Sequence, residues 1–405
     1  MKGQVFPSET SQQRDPVTGV TVTQLTNHRG HSHHLYFTNS GWYDRTDAAF
    51  GLGRRLLLES DRANSHELYS LDLADGRITQ LTEFGDADDE SLHSVCLNPT
   101  RDEAYMWHGG DLVAVDLRTL ATRVLCRVPG PWVGTSTGCS ADGRLVCTSL
   151  RPTAPSLGIE LRGYVGYRDY FLARPTCRII TVPTDGGPMQ VRLEERTWIG
   201  HVNASPTQPH LLSFCHEGPW HETDQRVWGM DLTTGKIWKV RPQAAGDAIG
   251  HEYWMADGVT LGYHGAVGDG LVYGAVRYDN SGLVEAPFPH DSRHFHSLAL
   301  DLVVGDGRPD FPYLLLWRFR GGAFDGPRVL CWHRGSSHVQ ATHVHPRFSA
   351  DGRSVLYTSD ESGYGNVYLA DVPAFDSLPT LHDVQHGPKK PWVPFGWMRK
   401  PAPSA

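Results

Sequence analysis

Several things are missing from this chain of 405 residues, and each absence removes a class of protein. No run of about eighteen apolar residues occurs, so no segment reads as a membrane-spanning helix and no membrane partner is expected. The opening residues, Met1-Lys2-Gly3-Gln4-Val5-Phe6-Pro7-Ser8-Glu9, lack the apolar core of a secretory signal, which makes the cytoplasm the expected compartment. No Cys-x-x-Cys pair exists. The seven cysteines, at 96, 126, 139, 147, 177, 215 and 331, are odd in number and irregular in spacing. They read as reduced, mostly buried thiols, not as a disulfide framework. No basic run appears and the net charge is −8, which argues against a nucleic-acid partner.

Glycine and proline, by contrast, are plentiful, at 43 and 27 residues, and only 20% of the chain is charged. With 12 Trp and 15 Tyr, that mix predicts many short strands joined by tight turns. One phrase recurs: a polar residue or His, an Asp-Gly turn, an apolar strand, then a hairpin closed by Gly. Its clearest copy runs from His345-Pro346-Arg347-Phe348-Ser349-Ala350-Asp351-Gly352-Arg353 through Ser354–Asp360 to Gly365–Val372. The Ser-Ala-Asp-Gly-Arg turn also stands at 140–144. The closing hairpin returns at 67–76 and 227–235.

Seven such units are counted, near 33–82, 92–126, 138–193, 201–242, 251–289, 294–332 and 343–372. A period of about 40–50 residues with four strands each is the signature of a propeller. The expectation is an all-β, seven-bladed β-propeller with four-stranded antiparallel blades, as one domain over 1–405. A spare strand near 18–25 is expected to complete the last blade and remove its free edges. The Pro-rich end, 386–405, reads as an extension.

The repeat bears on chemistry. Histidine is abundant, at 22 residues, and several units open with one: His34, His93, His201, His251, His294 and His343. Equivalent positions of successive blades face the same axial space, so these side chains converge there. The sharpest local signal is Gln340-Ala341-Thr342-His343-Val344-His345. In an extended strand His343 and His345 share a face, and Gln340 reaches in from the preceding loop. Imidazoles suit transition metals and an amide oxygen suits harder ions, so the set favours Mn²⁺ or a related divalent ion. Arg293-His294-Phe295-His296-Ser297 offers a third imidazole, and sequence leaves open whether His294 or His296 supplies it. Trp220, Trp228 and Trp254 read mainly as core, with one available to stack on a sugar ring.

Taken together, His33-His34-Leu35-Tyr36-Phe37-Thr38-Asn39, Cys215–His221 with Asp224–Trp228, Gly250–Trp254, His294–Ser297 and Gln340–Gly352 resemble the oligogalacturonate lyases, seven-bladed propellers that degrade pectin fragments inside bacteria. The resemblance covers most of the chain. It implies β-elimination on digalacturonate or short oligogalacturonides, giving 4,5-unsaturated uronate products. It implies Mn²⁺ held by His294, Gln340, His343 and His345, with His251 as the Brønsted base and Arg226 beside the acidic sugar. The matching segments also bring forward His34, His216, His221 and Tyr253 as substrate contacts. The alternative is a non-catalytic propeller of the TolB type. It accounts for the repeat and its Asp-Gly turns but not for the Gln/His set or Gly-His-Glu-Tyr-Trp.

Overall fold

A computed structural model describes residues 1–44, 53–85, 95–128 and 130–386. Their strands form seven antiparallel sheets in chain order, the seven blades of a propeller. Blade 1 is built on Ser32–His34, Arg55–Ser60, Glu67–Asp72 and Ile78–Gln80, and blade 2 runs from Cys96–Leu97 to Thr122–Arg127. Blades 3, 4, 5 and 6 begin at Trp132–Cys139, Ile199–Ala204, Ala248–Trp254 and Phe295–Ser297. Blade 7 holds Arg347–Phe348, Ser354–Ser359 and Asn366–Asp371. First strands of neighbouring blades pack side by side, which makes the first strand of each blade the inner one.

Local chemistry explains the repeat. In both Ser-Ala-Asp-Gly turns the glycine is left-handed, at φ +73° for Gly143 and +70° for Gly352. The serine hydroxyl donates to the aspartate (2.7 Å in each) and accepts from the amide five residues on (3.0 Å in each). A residue with a side chain is strained at that φ, so the turn selects glycine. Both faces of a blade meet another blade, and Glu67–Asp72 is accordingly buried at every position. One such layer joins Val304, Leu314 and Leu316 of blade 6 to Phe348, Val355 and Tyr357 of blade 7.

The N-terminus contributes three strands. Ser11–Arg14 and Thr21–Gln24 form a hairpin added to blade 7, with Val22 opposite Ala370. Val5–Phe6 pairs with Ile78 and Thr79 on the outer edge of blade 1. One segment therefore ties the first blade to the last. Helix is limited, among the described residues, to Tyr167–Leu172, Leu381–His386 and short 3-10 turns. No described helix is long and apolar enough to cross a membrane. His93 and residues 387–405, including all but the first residue of the C-terminal extension, lie outside the described residues.

Candidate active site and metal centre

Of the unit-opening histidines among the described residues, His34, His251, His294 and His343 meet at one end of the axis. His294, His343 and His345 each present a ring nitrogen, and the three atoms lie within 4.8 Å of one another. Ring centroids are 4.3 Å apart for His294 and His345, and 4.9 Å for His251 and His294. His343 and His345 do not lie on a strand, as the sequence reading has it. A 3-10 turn, Gln340–Thr342, ends at His343, and His345 is left-handed at φ +43°. That kink, not strand alternation, brings the two rings together. Gln340 is exposed on the turn that leads into His343.

His294 is the imidazole that joins the cluster. Its Nδ1 lies 2.7 Å from Asp306 Oδ2, which leaves Nε2 for the shared space. Asp306 also accepts from the Ser292 hydroxyl and from the backbone amides of Arg293 and His294. Burial would push this carboxyl up, but His294 and these donors outweigh it and hold it below its ordinary value. His296 points away. Its Nδ1 accepts from the Phe348 amide (3.2 Å) and its ring stacks on Tyr253.

His251 and His201 sit at matching bulges in the inner strands of blades 5 and 4, with φ of +49° and +48°. A bulge re-aims the side chain that occupies it. Each histidine follows a glycine that admits a close neighbour. A Cβ on Gly250 would stand 2.5 Å from the Trp220 ring, and one on Gly200 would stand 2.9 Å from Glu217. His251 Nδ1 is 2.8 Å from His264 Nε2. Burial, then the charges of His294, His264 and Arg226, hold His251 well below the usual histidine range. Burial takes His264 down to about 3 and, helped by His294, His343 to about 4. These rings are therefore neutral at neutral pH, the form a metal ligand or a base requires. Among the described residues, the buried His343 Nδ1 has no hydrogen-bond partner. An orphaned imidazole nitrogen in a three-histidine cluster fits a divalent transition ion.

Arg226 is only 2% exposed. Its fork closes on Glu217 at 2.7 Å, with Glu252 3.5 Å away and the Trp220 ring beside it. Burial would raise the Glu217 pKa, but Arg226 and His201 hold it well below. Trp220 is half-buried and lies edge-on to His251 at 4.9 Å. Of the expected substrate contacts, His34 is buried beside the cluster, with Nε2 3.3 Å from the Val344 carbonyl. Tyr253 is held inside its blade, its hydroxyl bonded to Tyr273 and Ser297. His216 lies apart against Trp228, near Glu195, and His221 is exposed beside Glu222.

Reading the sequence misses Asp306, His264, Glu217, Glu252 and Phe37. Phe37 is fully buried and touches His251, His294 and His345, forming the floor beneath them. Phe37, Glu217 and Glu252 lie inside the matched segments without a role of their own there, and no local motif marks His264 or Asp306, because each meets the site from a different strand or loop. The reading also passes over a Gly-x-Ser-x-Gly match, Gly134–Gly138. It runs through the inner strand of blade 3, without the strand-to-helix turn that such a nucleophile needs. A cavity of about 1040 Å³ opens where the inner strands end, lined by Asn98, Arg101, Arg118 and Arg347 among others. His294, His343 and His345 precede strands whose residues His296, Ser297 and Phe348 line the cavity, so the cavity is the opposite axial mouth.

Known proteins resemble this chain over most of its length. A family model described as oligogalacturonate lyase matches residues 1–313. The oligogalacturonide lyase of Pectobacterium atrosepticum is 28% identical, with 92% of this chain and 98% of that protein aligned. The oligogalacturonate lyase of Dickeya dadantii is also 28% identical, over 89% and 95%. A solved oligogalacturonate lyase in complex with manganese matches at a TM-score of 0.82 and 27% identity, covering 92% of this chain and 98% of that one. One from Vibrio parahaemolyticus matches at 0.82 and 26%, over 92% and 99%. With three-quarters of its length matched by the family model and its histidines gathered at one axial mouth, the chain belongs to the oligogalacturonate lyase family.

Proposed function

We propose that this protein cleaves short oligogalacturonides, digalacturonate included, by β-elimination to 4,5-unsaturated uronates. His294, His343 and His345 would hold a manganese-type divalent ion, with Gln340 approaching from the turn before them. The observation that carries the reading is a neutral His251 set 4.9 Å, ring to ring, from the three-histidine cluster.

The proton to be removed lies on C5, beside the C6 carboxylate, and is weakly acidic because the developing carbanion adds to an existing charge. A bound divalent ion supplies Lewis-acid neutralisation of that carboxylate. His251 takes the C5 proton, the electrons form the C4–C5 double bond, and the C4–O bond breaks with its electron pair left on the glycosidic oxygen, which takes up a proton and departs as a hydroxyl. Its tautomer suits the task. His251 Nδ1 lies 2.8 Å from His264 Nε2, and His251 acts in the tautomer that donates there. The His251 Nε2 lone pair is left for the substrate. Arg226 acts from behind Trp220. Its charge helps keep His251 unprotonated, and its pairing with Glu217 and Glu252 fixes the wall of the pocket. Trp220 offers an aromatic edge and face to the sugar ring.

Purified protein mixed with digalacturonate and Mn²⁺ should show rising ultraviolet absorbance from the conjugated uronate. No rise, with or without added metal, would overturn the reading. His251→Ala should abolish the signal with metal content intact, whereas His343→Ala should lose metal and activity together.

A further inference from the structure

Blade 1 carries a second cluster of ligating side chains that the lyase chemistry does not use. His33 and Glu59 are directly opposite each other in an antiparallel pair, so their side chains share a face. His66 stands just before the next strand, Glu67–Asp72, which pairs with the strand that carries Glu59. One ligand atom from each of the three lies within 4.8 Å of the others. Glu59 Oε1 is 3.9 Å from His33 Nδ1, and Oε2 is 3.3 Å from His66 Nε2. The two rings flank the carboxylate nearly parallel, 18° apart.

Neither contact has hydrogen-bond geometry. Glu59 is 1% exposed, and among the described residues neither of its oxygens accepts a hydrogen bond. A buried carboxylate without donors is costly to keep charged. Burial alone pushes Glu59 up to about 8. A cation between the three side chains removes that cost. The spacing suits one: two ligand atoms, each about 2.0–2.2 Å from a tetrahedral ion, stand roughly 3.4 Å apart.

We propose that His33, Glu59 and His66 form a second divalent transition-metal site, distinct from the axial cluster. Two imidazoles and one carboxylate are the donor set of zinc and its neighbours. The three ligands found among the described residues leave a further position, on the side where the His66 side chain is 32% exposed. The site is separate from the axial one because successive side chains of a strand point to opposite faces. His34, the next residue, reaches the Val344 carbonyl next to the axial histidines.

The test is a metal count on full-length protein, stripped with chelator and dialysed against excess Zn²⁺. Wild type should retain two equivalents per chain by elemental analysis. Glu59→Gln and His66→Ala should each retain one, and so should His343→Ala, which empties the axial site instead. Lyase activity with saturating Mn²⁺ should stay within about twofold of wild type in His66→Ala. A wild-type chain that holds a single equivalent would overturn the proposal and make the cluster an ion pair only. So would retention of both equivalents by His66→Ala, a rim substitution that removes no core packing. Because the count is independent of turnover, this site and the lyase reading fail or survive separately.

Discussion

His294 Nδ1 and Asp306 Oδ2 stand 2.7 Å apart on a carboxylate that accepts three further hydrogen bonds. This single relationship orients the ring, settles its tautomer and turns Nε2 toward His343 and His345. Carboxylates behind ligating histidines are typically worth about 10–100-fold in metal affinity. Asp306→Asn should therefore weaken Mn²⁺ binding by that order in a calorimetric titration. Excess metal should restore much of the activity. Unchanged affinity would show that packing alone holds His294.

His264 stands in the same relation to His251. His264→Phe removes the acceptor for Nδ1–H and frees the base to change tautomer. A positioned general base contributes about 10²–10⁴-fold, so kcat should fall at least ~10-fold. KM and metal content should change little. A variant with reduced metal content and normal kcat per bound ion would assign His264 to the metal centre.

Acid should destabilise the metal-free protein through its buried neutral histidines. His333 uses both ring nitrogens, Nε2 donating to the Asp306 carbonyl and Nδ1 accepting from the Gly335 amide. Burial lowers it, like His34, from 6.5 to about 4. A depressed folded pKa means that the unfolded chain binds the proton first. The stability is fully present above pH 6.5 and is lost as pH falls toward 4, by up to about 3 kcal/mol for each such group. Urea unfolding of the metal-free chain at pH 7, 5.5 and 4.5 should show this loss, and His333→Gln should shrink it. A flat profile would contradict the burial of these rings.

The two Ser-Ala-Asp-Gly turns should respond differently to the same change. Both glycines are left-handed, so Ala costs about 1–2 kcal/mol at either. At Gly352 the added Cβ meets only Leu298, at 3.7 Å. At Gly143 it meets Thr100 at 2.2 Å and Asn98 at 2.5 Å. Gly143→Ala should therefore lower the melting temperature clearly more than Gly352→Ala. Equal shifts would mean that the neighbouring blade yields freely.

Much of the architecture was readable along the chain because a propeller is written in local rules. Ser140–Gly143 and Ser349–Gly352 adopt one turn with one set of hydrogen bonds, wherever they stand. The recurrence of the whole strand-and-turn phrase was enough for seven four-stranded blades, and the unit-opening histidines pointed to an axial cluster. Sequence also carried the likeness to the lyase family in motifs spread from His33 to Gly352.

What the chain alone left open was set by contacts between distant strands. His294 and His296 are equivalent in an extended reading. Asp306, just past the adjacent strand Leu302–Gly305, holds one, and the Phe348 amide of blade 7 takes the other. The resemblance sets Arg226 beside the acidic sugar, yet its fork is buried between Glu217 and Glu252. His201 and His251 owe their aim to bulges, a property of two paired strands and of neither one alone. Hydrogen-bond partners and backbone kinks depend on which strands become neighbours, and only the closed ring makes them neighbours.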